Sequence, residues 1–250
     1  MKIFLSALRK PFAEYFVSQG LTHFKWNLMS YYGLKRDEAD YIKAHSDEVM
    51  IDSGAHSFQF GKKVDWVEYT KEYAKFIESY DDKKVVGFFE MDVDNIIGYD
   101  KVLELRKILE RVSDKIIPVW HINRGINDYR KMCEQYAGRV VSITGFKNKD
   151  IKDEQYIQFL KYAWKHNCKV HCLGMTRKEV LNKVPFDYVD SSSWLQEVVY
   201  GNIYNPKTGK KQKVSREQSR VNREQCYLLN YKAGMKMQED YYLKWRKYEK

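Results

Sequence analysis

Proline and glycine are scarce, with 4 and 13 in 250 residues, so there is little room for a long disordered linker. Cysteine is scarcer still. Cys133, Cys168, Cys172 and Cys226 are too few and too widely spaced for a disulfide scaffold, which fits free thiols in a reducing compartment. The opening MKIFLSALRKPF holds too short an apolar run for a signal-peptide core. No other stretch approaches the length a membrane span requires, so a cytoplasmic chain without membrane contact is expected. What is present is apolar and aromatic: 44% hydrophobic residues, 20 Tyr and 6 Trp, enough for one sizeable core.

Charge is unevenly placed. The net charge is +10, yet residues 205–250 hold 13 Lys and Arg against 5 Asp and Glu, leaving 31 against 29 for residues 1–204. A local excess of positive charge attracts polyanions by counterion release, which makes nucleic acid the leading partner. A solvated lysine-rich terminus that only aids solubility is the plainer alternative. The expected organisation is therefore a barrel over 1–204 and a basic loop and helical extension over 205–250.

Short β-rich runs alternate with amphipathic stretches, the pattern of repeated βα units around a parallel sheet. The runs are KIFLSAL, EVMIDSG, KVVGFFEMDVD, KIIPVWHI, RVVSITGF, KVHCLGM and FDYVDSS. Seven is one short of an eight-stranded barrel, and the aromatic stretch from Phe24 to Tyr32 can supply the eighth, although its periodicity fits helix and strand equally. After EVMIDSG, Asp65 can cap a helix whose apolar face is Trp66, Tyr69, Tyr73, Phe76, Ile77 and Tyr80, with Glu68 completing a capping box. Further helices are expected over 102–112, 127–136, 154–166 and 178–183. Tyr200 to Lys213 reads as an exposed loop leading to a final helix with Arg216, Arg220 and Arg223 on one face. The fold class is α/β, a TIM-type (β/α)8 barrel with a basic C-terminal helical extension.

In such barrels catalytic groups sit where strands end and βα loops begin. That filter selects Asp52, Asp92, Asp94, His121, the Thr144–Gly145 pair and Asp190. Carboxylates at buried strand ends are costly unless paired or used. Each also has a structural reading: a strand-end Asp can cap the next helix, Asp94–Asn95 can be a turn, and a lone His is often a hydrogen-bonded core residue. Gly54 and Gly174 fit a close backbone approach to a planar ligand, or simply turns. The CKVHC segment suggests metal at first sight. Its cysteines are four apart on a strand, pointing the same way but too distant to share one ion, so no metal site is expected.

Two segments then carry a resemblance. VMIDSGAHSFQF resembles the DSGGFQ motif of tRNA-guanine transglycosylases, and HCLGMTRKEVLNKVPFDYVDSSSW resembles that family's LMGVG segment followed by the VDMFD strand. The resemblance implies that Asp190 is the nucleophile, Asp187 its non-nucleophilic neighbour in the motif, and Asp52 the general acid/base accompanied by Ser53. It further implies that Asp92 or Asp94 reads the guanine edge. His121 stands in the place of a base-contacting glutamine, Gly145 in that of a glycine whose backbone contacts the base, and Leu173 where a methionine packs on the purine, next to Gly174. His56 stands where an aromatic is usual.

The departures point to a branch. Only Cys226 and no histidine follow Asp190, so the three-cysteine, one-histidine zinc site of the family's bacterial and archaeal tRNA enzymes is missing. With the shorter length and the DSGAHSF and VDSSSW forms, the chain is more similar to the phage and bacterial enzymes that insert 7-deazaguanines into DNA. The implied partners are nucleic acid, DNA ahead of tRNA, and a free 7-deazaguanine base, with no cofactor. Lys210, Lys211, Lys213, Arg216, Arg220 and Arg223 would hold phosphates. A base-excising glycosylase and a non-catalytic nucleic-acid-binding barrel are the competing readings of the same residues.

Overall fold

Eight β-rich runs each lead into a helix. The computed structural model describes residues 1–58, 64–144, 151–205, 208–214 and 222–248, with His56 and Phe58 as backbone alone. The parallel strands are β1 (Lys2–Ser6), β2 (Phe24–Ser30), β3 (Ser46–Asp52), β4 (Val85–Phe89), β5 (Ile116–Ile117), β6 (Val119–Trp120), β7 (Val140–Thr144), β8 (Lys169–Leu173) and β9 (Tyr188–Ser191). Their order in the sheet is β5-β4-β3-β2-β1-β9-β8-β7-β6. The ends of that order, β5 and β6, are one run of sequence broken at Pro118, which has no N–H for a ladder bond. Counted as one, they leave eight βα units, and the fold is of the TIM type. The undecided stretch after Phe24 is a strand, β2.

Two compact units divide the chain: residues 1–28, 35–48 and 174–250, and residues 29–34 and 49–173. In the first, β1 lies between β2 and β9, with Leu5 opposite Asn27 and Phe4 opposite Asp190. Four shorter helices belong to this unit: α1 (Lys10–Ser18), α2 (Arg36–Ala44), α8 (Lys178–Leu181) and α9 (Ser193–Val199). The last helix, α10 (Arg223–Trp245), packs on β1. Gly234 lets the helix approach closely, since a Cβ there would lie 3.0 Å from Leu5 Cδ1 and push that side chain aside. Buried side-chain donors of α10 find acceptors on the strands beneath. Gln238 Nε2 donates to the carbonyls of Ile3 and Trp26 at 2.7 and 2.8 Å, and the Tyr231 hydroxyl donates to Asn27 Oδ1 at 2.8 Å.

The stretch expected as a loop is a hairpin, β10 (Asn202–Tyr204) antiparallel to β11 (Lys211–Lys213). Asn230 on α10 anchors it, accepting from Tyr204 N–H and donating to Asn202 and Trp194 carbonyls at 2.7, 3.1 and 3.1 Å. The polar composition hid the strands because β11 is exposed and its pairing is satisfied by backbone rather than by an apolar face.

The second unit contains β4 to β8 with the ends of β2 and β3, and α3 (Trp66–Tyr80), α4 (Asp94–Ile97), α5 (Tyr99–Leu109), α6 (Gly125–Gln135) and α7 (Tyr156–Lys165). Asp65 caps α3 as expected, accepting from Val67 and Glu68 N–H at 3.1 and 3.0 Å. The α3 stripe meets Tyr31, whose ring lies 4.7 Å from that of Tyr73 and 5.2 Å from that of Phe76. Among the described residues no helix is long and apolar enough to cross a membrane.

Candidate active site

Asp190 is the penultimate residue of β9, three residues beyond Asp187, which precedes the strand and accepts from Lys2 N–H through its carbonyl. Its carboxylate is held at both oxygens: Gly174 N–H donates to Oδ1 at 2.7 Å and the Ser6 hydroxyl donates to Oδ2 at 3.2 Å. The parallel register that sets Phe4 opposite Asp190 brings Ser6, the last residue of β1, within reach. Gly174 turns out of β8 with φ of +62°, which aims its N–H at the carboxylate. Burial pushes the Asp190 carboxyl up to about 6, against the two hydrogen bonds that favour the charged form. Ser6 carries no motif, and its polar position at a strand end was the only sequence signal for it.

The other acidic strand ends lie in the second unit. Asp52 ends β3, and its carbonyl accepts from Tyr31 N–H at 2.7 Å. Its charge adds to burial in raising the phenols of Tyr69 and Tyr73 above their ordinary value. Those phenols donate to the carbonyls on either side, Tyr69 to Ser53 at 2.7 Å and Tyr73 to Ile51 at 3.2 Å. The Ser53 hydroxyl is buried with no hydrogen-bond partner among the described residues. Gly54 answers to the chain itself. At φ of +75°, a Cβ would sit 2.4 Å from Tyr32 Cβ and 2.7 Å from Tyr32 N. Gly54→Ala is therefore expected to cost about 2 to 4 kcal/mol through strain and overlap with backbone. Thermal unfolding of the variant checks it, and an unchanged Tm would show that the turn relaxes freely.

Asp92 and Asp94 follow β4 but differ sharply. Asp94 is buried, bonded by Arg124 Nε at 3.2 Å and Asn123 Nδ2 at 3.3 Å. Burial would raise its carboxyl, but Arg124, His121 and Asn123 together hold it below the usual carboxylate value. Asp92 is more open, its side chain 29% exposed, and lies 2.6 Å from His121 Nε2. Burial opposes charge on His121, yet the hydrogen bond and charge of Asp92, with Asp94 behind it, raise the imidazole above its ordinary value. His121 and Asp92 thus share a short hydrogen bond, with part of the Asp92 carboxylate left accessible.

Beneath them lies a group the motifs did not reveal. Glu90, fully buried, accepts from Arg106 Nε at 2.5 Å, Arg106 Nη2 at 3.1 Å and Val119 N–H at 2.6 Å. Arg124 Nη1 lies 3.9 Å from it, and the Arg124 guanidinium stacks 4.0 Å over the Tyr99 ring. The signal was present: Glu90 interrupts an apolar run, and Arg106 sits on the apolar face of α5 with Val102, Leu105 and Leu109. Ligand atoms of Asp92, Asp94 and His121 lie within 4.8 Å of one another, near enough to share a cation. The Arg124 guanidinium already supplies positive charge there, so the cluster fits hydrogen bonding to a polar ligand better than a divalent ion.

The CKVHC residues face inward. Cys168 Sγ donates toward the carbonyls of Cys133 and Tyr136 at 3.2 and 3.3 Å. The His171 ring meets Phe89 edge-on at 4.9 Å, and burial pushes its pKa down to about 3, leaving it neutral. All four cysteines are buried, as thiols outside any disulfide. Leu173 ends β8, half-buried. Gly145, Arg216, Arg220 and the His56 side chain lie outside the described residues, and α10 begins only at Arg223. Lys210, Lys211 and Lys213 are exposed on the hairpin, with Lys211 paired to Glu197 at 2.7 Å. Arg223 donates to the Tyr227 hydroxyl at 3.1 Å and lies 5.6 Å over that ring.

No protein-family model and no curated protein matches the sequence. Among solved structures, the chain is similar to the crystal structure of a Coccidioides immitis protein named as a fructose-1,6-biphosphate aldolase. The TM-score is 0.58 at 12% identity, over 95% of this chain and 89% of that one. At that identity the likeness shows the fold alone, a TIM-type barrel.

Proposed function

We propose that this chain is a base-exchange transglycosylase that replaces guanine in nucleic acid, DNA ahead of tRNA, with a 7-deazaguanine. The observation that carries the reading is Asp190, which ends the strand-glycine-helix-strand register of HCLGM…VDSSSW and is gripped by Gly174 N–H and the Ser6 hydroxyl while leaning toward its neutral form. Such a carboxylate is poised near neutral pH, as a nucleophile requires.

Retention at C1′ calls for two inversions. The Asp190 carboxylate attacks C1′, the C1′–N9 bond breaks, and the electron pair leaves on guanine N9, protonated from Asp52. Asp52 then takes the N9 proton of the entering deazaguanine, N9 attacks C1′, and the ester bond breaks to restore the Asp190 carboxylate. Asp92 is the better reader of the guanine N1–H and amino group, because Asp94 is already spent on Arg124 and Asn123. A duplex base reaches such a site only by flipping out. The exposed lysines of β11 and its turn would hold phosphates nonspecifically.

The deciding experiment incubates the protein with DNA or tRNA and a labelled 7-deazaguanine base. Incorporation of label, with a denaturation-stable protein–nucleic acid adduct, is the expected outcome. Abasic sites without incorporation would make the chain a glycosylase instead, and binding without chemistry would leave a recognition barrel.

A further inference from the structure

After β4 and β6, in a chain of which 31% of residues are charged, three isoleucines stand exposed. Ile96, Ile122 and Ile126 are 46%, 54% and 45% exposed, and each has an exposed asparagine beside it in sequence: Asn95, Asn123 and Asn127. Two charged residues of these segments turn inward. Asp94 and Arg124 side chains are each 2% exposed and bonded to one another. That bond, with the Asn123 amide on the same Asp94 oxygen, ties α4 to the turn Ile122–Arg124, so the isoleucines stand on one braced lip beside Asp92 and His121.

Leaving three isoleucines in water forgoes burial of a few kcal/mol in all, and the bracing beneath them excludes simple looseness as the reason. Cations reappear one helical turn back, about 5 Å along the axis. Arg130 lies behind Ile126 and Lys131 behind Asn127, both exposed on α6. An uncharged edge of apolar and amide groups with cations set behind it matches a nucleic-acid strand, whose stacked bases are flanked by phosphates.

We infer that this lip is a wedge for the base stack: Ile122 and Ile126, with Ile96 beside them, enter the gap left by the flipped guanine, and the asparagine amides meet neighbouring base edges. The inference rests on the base-exchange reading for its substrate. It adds how a duplex would be opened, with an apolar side chain replacing the stacking lost when a base leaves, as wedge residues do in other proteins that distort DNA.

The test is the double variant Ile122→Ala/Ile126→Ala, whose exposed positions leave the fold intact. Two substrates are compared, a single-stranded oligonucleotide and a duplex carrying 2-aminopurine next to the target guanine. Exchange on the duplex should fall about tenfold or more relative to the single strand, with loss of the 2-aminopurine fluorescence rise seen on binding wild type. Equal exchange on both substrates with an unchanged fluorescence rise overturns the wedge. A wild-type protein that exchanges no base on either substrate defeats the transglycosylase reading, and the fluorescence comparison between wild type and variant then decides the lip by itself.

Discussion

Asp190→Asn is expected to abolish base exchange by about 10^4-fold or more and to eliminate the denaturation-stable adduct, since an amide cannot form the ester. The substitution is gentle on the fold. Asparagine Oδ1 can still accept from Gly174 N–H, and its amide can donate to the Ser6 hydroxyl, so both existing contacts have an equivalent. Lost activity would therefore report chemistry rather than unfolding.

The same variant has a second signature, in stability. The folded-state value of about 6 lies above the ordinary carboxylate value of 3.8 because burial disfavours the charge. The native state thus holds a proton that the unfolded chain releases, so wild-type stability falls as pH rises from about 4 through about 6. A two-unit shift corresponds to about 3 kcal/mol once Asp190 is fully ionised, or roughly 6 to 12 °C in Tm for a chain of this size. Asp190→Asn carries no such charge. Its Tm relative to wild type should climb between pH 4 and pH 7 and then level off, while wild-type kcat/KM rises through about pH 6 as the nucleophile ionises. A Tm difference that stays flat across that range would mean that the carboxylate is not desolvated, and full exchange by the variant would remove Asp190 from the mechanism.

Much of this architecture is legible in the sequence. Alternating β-rich and amphipathic runs gave seven strands, because a parallel strand covered on both faces reads as a continuous apolar run. The eighth, β2, was ambiguous because its buried run Trp26, Asn27, Leu28 and Met29 carries a polar residue that the sequence could not know was bonded to Ser46 and Tyr231. The last helix is present as expected, but its packing was hidden for a related reason. Its buried face includes Asn230 and Gln238, so the apolar period is blurred and its lysines dominate the composition, although it covers β1. Strand-end acids were found because position along a run is a local property. Ser6 and the Glu90–Arg106–Arg124 cluster were not, because each depends on partners far along the chain. Asp92 and Asp94 could not be separated by spacing; only the direction of Arg124 distinguishes them.

That buried cluster supports the second large effect. Glu90→Gln keeps shape and one acceptor for Val119 N–H but removes the carboxylate that pairs with Arg106 and leaves Arg124 with Asp94, the two arginine side chains being 4% and 2% exposed. Arginine cannot escape by losing its proton, and the charge of Glu90, against the cost of burial, holds the Arg106 guanidinium in its charged form even more firmly than usual. An uncompensated buried charge costs about 3 to 5 kcal/mol, so denaturant or thermal unfolding at pH 7 should show a Tm lower by roughly 10 °C. Adding Arg106→Met to Glu90→Gln should restore part of that loss, because removing the stranded cation costs less than keeping it. Recovery in the double variant separates charge imbalance from lost packing. A double variant less stable than the single would mean that the Arg106 stem, stacked near Tyr99 and Tyr136, matters more than its charge. Function should follow the same split. The single variant frees Arg124 from one of its two carboxylates, and Arg124 braces both Asp94 and the isoleucine lip, so base selection should suffer beyond what the loss of folded protein explains.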